Sequence, residues 1–472
     1  KLKAFRMGQK LEYLYQAQRG FIDSLLTIVN CEVDGKIRAR YIIDYWKRPE
    51  YIYLGPDENM HDSMIEWIAN YSKKYHYKPG TSFISGKPIF GVNHKEYGVT
   101  SLGINVYMRN VLEYLGINPE KEVFKVKMSG GPDGDVAGNQ ILNLYHYYPE
   151  TAKIVALTDK TGTIFDENGL DLSLLKDLFY QVKGIRFYPA EKLSSGGFLL
   201  DMETKRHPIP YVQETLCRKK KNGKLVSEWL SGSDTNRLMH YNVHKAKADI
   251  FIPAGGRPRT LNASNISEYL DDKGQPTSRA IIEGANLYLT QEARNFLEDR
   301  GVLIIKDSSA NKGGVICSSF EVLTGLVLDE KTFMENKTAL VAEILERVKI
   351  CAENEAHLLL RTHKETNEHL TSISDKISDR INLYTYQLLD YLEALPPNKD
   401  YNDPITRCFL SYCLPILRDN FSSALLEQIP QHHKNAIVAC YLAAHMVYKK
   451  GIDWSPTIVD ILPLILSSSP AI

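Results

Sequence analysis

The sequence predicts an α/β protein in three parts: a helical N-terminal piece, a central domain on a parallel sheet, and an all-helical C-terminal third. Three observations predict it. Residues 123–157 run strand, glycine-rich turn, helix, strand, which is a βαβ unit and calls for parallel strands. Strand signals return at Ala248–Pro253, Ala280–Glu283 and Val302–Ile305. From about residue 330 they stop, and apolar residues recur at helical spacing instead.

The elements follow in order. Leu11, Leu14, Ala17, Phe21, Leu25 and Ile28 recur every three or four positions, which predicts a helix over 9–30. Residues 60–74 and 102–115 read as two more helices. Val123–Met128 is a short β-rich run, followed by the turn SGGPDGDVAG, a helix to about Tyr148, and a second strand over Lys153–Leu157. Between about 200 and 232, two β-rich runs flank Arg218-Lys-Lys-Lys-Asn-Gly223, and the Asn-Gly pair predicts a tight hairpin. Its basic residues Arg218–Lys221 read as a solvated hairpin end more readily than as a phosphate or nucleic-acid patch. Residues 338–364 form a long amphipathic helix, and further helices are broken at Leu395-Pro-Pro-Asn398. The boundaries expected are 1–120, 121–325 with a hairpin insertion near 200–232, and 326–472.

Composition narrows the function classes. The 57 basic and 57 acidic side chains leave no net charge, which argues against nucleic acid or an anionic membrane as the main partner. Seven cysteines, an odd number without paired spacing, do not read as a disulfide framework and predict a reducing, cytoplasmic setting. Ile458–Leu466 is the most apolar stretch, but it is short and holds Asp460 and Pro463, so no membrane span is expected. His432 and His433 are neighbours and do not share a helix face, so they read as surface residues; no metal is expected.

Several segments carry chemistry. Gly131, Gly134 and Gly138 lie between a strand and a helix, where a dinucleotide fold places its phosphate loop. Glycines let the backbone approach a pyrophosphate, and the helix opening at Asp135 and Val136 supplies N–H groups to it. The spacing departs from G-x-G-x-x-G, so a glycine-rich turn with Asp135 capping the helix stands beside that reading. Asp159 closes the second strand 21 residues after Gly138, where an acidic residue accepts the adenosine ribose hydroxyls and disfavours a 2′-phosphate; the alternative is a solvated loop aspartate. Asp57, held behind Pro56, is either a general acid/base or a helix N-cap. Asn311 and Ser318 bracket Lys312-Gly-Gly-Val-Ile-Cys317 and could reach an amide or carboxylate, or could serve a loop and helix cap. Cys317 has no basic neighbour in sequence and reads as a buried structural thiol.

Together, YIYLGPDENMHDSMIEW, GVNHKEYGVTSLGINVY, KMSGGPDGDVAGNQI, VALTDKTGTIFDENGLD, DIFIPAGGRPRTLNASN, IIEGANLYLT and KDSSANKGGVICSSFEVL resemble the glutamate dehydrogenases of the Glu/Leu/Phe/Val dehydrogenase family. The tail KNAIVACYLAAHMVYKKGIDWSPTIVDILPLI is similar to their large NAD-specific branch. The resemblance covers nearly the whole chain in family order. It implies a Rossmann-like NAD-binding domain over 121–325, the C-terminal part of an α/β substrate domain over 1–120, and a helical C-terminal region.

The resemblance also implies an activity, the oxidative deamination of L-glutamate to 2-oxoglutarate and ammonia with hydride transfer to NAD, by a homo-oligomer. It makes Asp57 the catalytic acid/base. It makes Gly131, Gly134, Asp135, Val136 and Gly138 the phosphate loop and Asp159 the ribose acid. Ala254, Asn286 and Asn311 would line the nicotinamide side, and Ser318 would hold the distal carboxylate of the substrate. Two departures stand out. The substrate Arg–Thr motif appears only as His94-Lys-Glu-Tyr-Gly-Val-Thr100, which leaves His94, Lys95 and Thr100 as alternatives for the substrate contact. The lysine-bearing G-G-x-K-G motif is absent, so the 472 residues, which begin with Lys, are expected to be an N-terminally truncated portion of a longer protein. The alternative functions are a dehydrogenase for another amino acid and a non-catalytic regulatory relative.

Overall fold

The computed structural model describes residues 2–29, 31–33, 36–38, 51–56, 60–75, 77, 79–207, 209 and 212–455. Asp57 and Ile458–Leu466 lie outside the described residues.

The chain opens with α1 (Leu2–Ile28), a β-ribbon of β1 (Cys31–Val33) and β2 (Lys36–Arg38), and α2 (Asp62–Lys74). The helix over 9–30 is present, but it turns a different face inward from the one its periodicity suggests. Ile22, Leu26 and Val29 pack on Ile65, Ile68 and Ala69 of α2 and on Tyr77, Phe83 and Ile84, while Leu11, Leu14 and Phe21 are exposed. Next come α3 (His94–Tyr97) and α4 (Val99–Tyr114), separated by Gly98 at φ +60°, so the chain turns sharply between them.

The central domain alternates β3 (Phe124–Ser129), α5 (Asp135–Tyr147), β4 (Ala152–Asp159), β5 (Gly162–Phe165) and α6 (Leu172–Tyr180). It continues with β6 (Phe198–Arg206), β7 (Glu214–Lys221), β8 (Lys224–Leu230), α7 (Gly232–Lys245), β9 (Ala248–Pro253) and β10 (Ser278–Ile282). The last elements are α8 (Gln291–Glu298), β11 (Leu303–Ile305), α9 (Asp307–Ala310) and α10 (Gly313–Val327). Among the described residues, nine strands form one sheet in the order β11-β10-β9-β3-β4-β5-β6-β7-β8.

The expected parallel sheet accounts for only part of it. β11, β10, β9, β3 and β4 run parallel, whereas β5–β8 continue the same sheet as an antiparallel meander. The reason is local. Asp159 Oδ1 accepts from the backbone N–H groups of Thr161 (2.6 Å) and Gly162 (3.1 Å), an Asx turn that reverses the chain immediately after β4. Asn222 (φ +47°) and Gly223 (φ +76°) make the predicted hairpin turn between β7 and β8, both in the left-handed region that such a turn needs. The basic run beside it is partly paired: Lys219 and Lys221 share Glu228 at 2.6 and 2.5 Å, and Lys220 donates to the Glu191 carbonyl.

The parallel strands are mostly apolar along their middles, as strands covered by helices on each side must be, with polar residues toward their ends. Lys127 in β3 is a charged residue buried among them. Its fully buried Nζ donates to the carbonyls of His244 (3.0 Å) and Ala246 (2.9 Å) and to Thr277 Oγ1 (2.7 Å), which satisfies the donors that burial would otherwise strand.

The described part of the C-terminal third is helical as expected: α11 (Glu330–Thr366), α12 (Leu370–Glu393), α13 (Pro404–Tyr412), α14 (Pro415–Gln428) and α15 (Gln431–Lys450). α11 lies along α4 and α10, and α12 packs on α15. Lys312 pairs with Glu355 of α11 at 2.6 Å, and Glu355 also accepts from Tyr448 of α15, so this region is tied to the start of α10. His433 is not a surface residue. It is half-buried against the rings of Tyr51 and Tyr53, at 5.7 and 5.8 Å between centroids, and it faces His432 at 4.2 Å. Both sit in the first turn of α15, where their rings converge in spite of the helical offset. Among the described residues, no helix is long and apolar enough to cross a membrane.

Candidate functional site

β3 is flanked by β9 on one side and β4 on the other, so the connections leave it in opposite directions and open a crevice at the C-terminal ends of these strands. The loops after β3, β9, β10 and β11 meet along that edge. Ala254 N donates to Ser129 O (2.9 Å), Ala285 N to Pro253 O (2.7 Å) and Glu283 N to Ile305 O (3.0 Å).

The turn after β3 is shaped by close approach. Gly130 sits at φ +100°. A Cβ on Gly131 would lie 2.3 Å from Asp159 Oδ2, and one on Gly138 would lie 2.4 Å from the Pro132 carbonyl and 2.6 Å from the Phe179 ring. The glycines that break the usual spacing are therefore required by packing. Gly134 is the N-cap of α5 and brings no side chain over the first N–H groups of the helix. Asp135 is the first helical residue and not its cap, which sets aside the capping alternative. Burial raises the pKa of Asp135, against the pull of His94 and Lys95. Val136 touches the space beside Gly284, after β10.

Asp159 is buried and is not a solvated loop residue. Its Oδ1 serves the turn and Thr161 Oγ1 (2.6 Å), and its Oδ2 accepts from Ile185 N (2.7 Å) and faces Gly131. Burial raises its pKa against these hydrogen bonds. Lys95 reaches across from α3 to donate to the Asp133 carbonyl at 3.0 Å, and Lys160 pairs with the Asp133 carboxylate at 2.9 Å.

Farther along the edge, Ala254 packs against Gly130, and Asn311 Nδ2 donates to Asn286 Oδ1. A second group lies on α10. Ser318 Oγ is 2.9 Å from Ser85 Oγ and 3.4 Å from His94 Nε2. A Cβ on Gly314, one turn earlier, would lie 3.3 Å from Thr100 Oγ1 and 3.5 Å from His94 Nδ1. His94, Thr100 and Ser318 therefore face one space, whereas Lys95 is directed to the glycine turn. Burial lowers the pKa of His94, opposed by Glu321 and Asp135.

Glu321, one turn beyond Ser318, is buried and accepts from Lys87 Nζ (2.6 Å), Gly86 N (2.9 Å) and Val92 N (2.9 Å). Leu54 bridges Ile84, which brings Gly55 and Pro56 beside Ser85 and Gly86. Cys317 is buried one turn before Glu321 on α10, its thiol pushed up by burial and then by Glu321, as a structural cysteine should be. Sequence reasoning missed Ser85 and Glu321. Ser85 carries no local signal, but Glu321 could have been found as the acidic neighbour three residues from Ser318 on one helix face.

A family profile described as Glutamate/Leucine/Phenylalanine/Valine dehydrogenase matches residues 91–371. A protein of Schizosaccharomyces pombe named "Probable NAD-specific glutamate dehydrogenase" is 31% identical over 451 residues, 92% of this chain and 38% of that protein. The NAD-specific glutamate dehydrogenase of Saccharomyces cerevisiae is 30% identical over 454 residues, 92% of this chain and 39% of that one. The chain thus spans about two fifths of the length of the curated relatives it matches. A Plasmodium falciparum glutamate dehydrogenase structure aligns with a TM-score of 0.46 at 18% identity, covering 75% of this chain and 60% of that one. With the profile spanning more than half of its residues, this chain belongs to the Glutamate/Leucine/Phenylalanine/Valine dehydrogenase family.

Proposed function

We propose that the protein is an NAD-dependent glutamate dehydrogenase, which converts L-glutamate to 2-oxoglutarate and ammonia. The observation that carries this reading is the course of one short segment, Asn311 to Ser318. Its first residue meets Asn286 at the dinucleotide crevice, and its last meets His94 and Ser85 in a separate polar space, so cofactor and substrate would be held against each other. NAD, when bound, supplies the hydride acceptor. The residues present fit it: Gly131 and Gly138 clear the backbone, and the uncapped first turn of α5 offers N–H groups to a pyrophosphate.

In this reading Gly131, Gly134, Asp135, Val136 and Gly138 cradle the phosphates. Asp159 accepts the ribose hydroxyls on the oxygen that faces Gly131, and Ala254, Asn286 and Asn311 orient the ring. Ser318, with His94 and Thr100, holds the distal carboxylate of the substrate, and Asp57 moves the proton to and from the amino nitrogen. Residues 121–325 are the NAD-binding domain, 1–120 contribute to the substrate domain, and 326–472 form the helical region. A homo-oligomer in the cytoplasm is proposed with it.

The test is to compare initial rates with NAD and NADP, and with glutamate against leucine, valine and phenylalanine, for the full-length protein. NAD and glutamate should be preferred. Equal or greater activity with NADP would remove Asp159 from the ribose position, and preference for an apolar amino acid would remove Ser318 from a carboxylate subsite.

A further inference from the structure

Behind Asn286 and Asn311 lies a buried ionic cluster that the functional reading above leaves unused. Arg294, on α8, is bidentate to Glu283: Nε donates to Oε1 and Nη2 to Oε2, both at 2.8 Å. Nη2 also donates to Asp307 Oδ1 at 3.1 Å. Arg294 is 5% exposed and Glu283 fully buried. Glu283 follows β10 directly and begins the segment that ends in Asn286. Asp307 opens α9, just after β11, and leads to Asn311. One guanidinium therefore bridges the two loops that carry the asparagines.

Asp307 extends the bridge to the residues next to both. Its Oδ2 accepts from Leu287 N at 2.7 Å, and its carbonyl accepts from Asn311 N at 3.0 Å. Leu287 sits at φ +56°, a conformation that a non-glycine residue adopts at a cost, and its side chain is exposed. Asp307 holds Leu287 there, with help from Arg259 N on the Leu287 carbonyl (2.7 Å), and so sets the direction of Asn286. Two carboxylates and one guanidinium form a costly core element, which well-packed apolar residues would match or exceed in stability. What an apolar replacement would lack is the planar fork that fixes two acceptors in one orientation.

We propose that Arg294 is a positioning residue for the reaction: by joining Glu283 to Asp307 it aligns Asn286 and Asn311 on the nicotinamide ring. The inference rests on the dinucleotide reading of the crevice. Arg294 touches neither cofactor nor substrate and acts through the two loops.

The experiment uses the full-length protein and three variants: Arg294→Lys, Asp307→Asn, and the paired Arg294→Met/Glu283→Gln, which removes the Arg294–Glu283 pair and leaves Asp307 with its backbone donors Leu287 N and Ser308 N. Steady-state kinetics gives kcat and KM, and calorimetry gives the affinity for ADP-ribose, a cofactor fragment without the nicotinamide. The paired variant should lose on the order of 10²-fold in kcat, the scale of a misaligned reactant, with unchanged ADP-ribose affinity. Arg294→Lys should recover part of the loss, because it keeps the charge and loses the fork. If the paired variant does not fold, Arg294→Lys and Asp307→Asn carry the same kcat-against-ADP-ribose comparison. A folded variant with wild-type kcat overturns the proposal, and so does a parallel loss of ADP-ribose affinity, which would mark general damage to the domain. Failure of the wild-type protein to bind ADP-ribose is a separate result, and it overturns the dinucleotide reading itself.

Discussion

Replacing Glu321 by alanine should release the loop that brings Ser85 to Ser318. The Glu321 side chain is 1% exposed and that of Lys87 is 7% exposed, so neither charge is supported by water. The carboxylate accepts from Lys87 Nζ at 2.6 Å and from Gly86 N and Val92 N at 2.9 Å each. Removing one partner of such a buried pair costs about 3–5 kcal/mol, because the other charge is left uncompensated. The two amides lose a charged acceptor in the same step, so their share lies within that figure and is not added to it. Alanine favours the helix, so propensity in α10 does not contribute to the loss.

A local loss of about 3–5 kcal/mol corresponds to roughly 10²–10⁴-fold faster exchange of the Gly86 and Val92 amides, if they exchange by opening of this loop. Native-state hydrogen exchange at these two positions is the assay, and it does not require the whole chain to unfold in one step. Lys87→Met should cost less, since Glu321 keeps both backbone donors. The pair Lys87→Met/Glu321→Gln should also cost less than Glu321→Ala, because it strands no charge. Wild-type exchange at Gly86 and Val92 in Glu321→Ala, or a double variant worse than that single one, would refute the reasoning.

Three further outcomes are expected. His244 is buried with its pKa lowered to about 3, chiefly by burial and then by Lys127, so the folded protein keeps it neutral while the unfolded chain takes up a proton below its ordinary value of 6.5. Stability from this site is complete above that value and is lost as pH falls toward 3, at about 1.4 kcal/mol per pH unit; His244→Phe should remove one proton from the acid slope of denaturation, and an unchanged slope would contradict this. Gly131→Ala would place its Cβ 2.3 Å from Asp159 Oδ2 and 2.8 Å from Asp133 Oδ1, so the buried Asp159 must shift; the variant should lower the melting temperature and weaken NAD binding measured by calorimetry on the folded protein, and wild-type affinity would exclude this turn from the cofactor site. Asp57→Asn should reduce turnover by about 10²–10⁴-fold with NAD affinity retained, whereas near-normal turnover would favour a helix-cap role.

Local chemistry in the sequence determined the succession of elements. Short β-rich runs marked strands such as β3, β4 and β9, helical periodicity marked helices such as α1 and α11, the Asn222-Gly223 pair named its own hairpin, and the glycine-rich turn announced the loop after β3, whereas β5, β6 and α6 carried no signal that was read. These signals are legible because each depends on a few neighbouring residues: which side chains meet water, and which backbone angles a glycine or asparagine tolerates. The tertiary structure decided what depends on distant partners. The meander beyond β4 follows from an Asp159 turn whose carboxylate also reaches Ile185. His94 and Ser85 meet Ser318 across 224 and 233 residues of chain, and the face of α1 that is buried was chosen by α2. Arg294 looks like any charged residue on a short helix until β10 and β11 bring two carboxylates to it. Buried polar groups must find partners wherever the fold carries them, and no local pattern records an encounter that only packing creates.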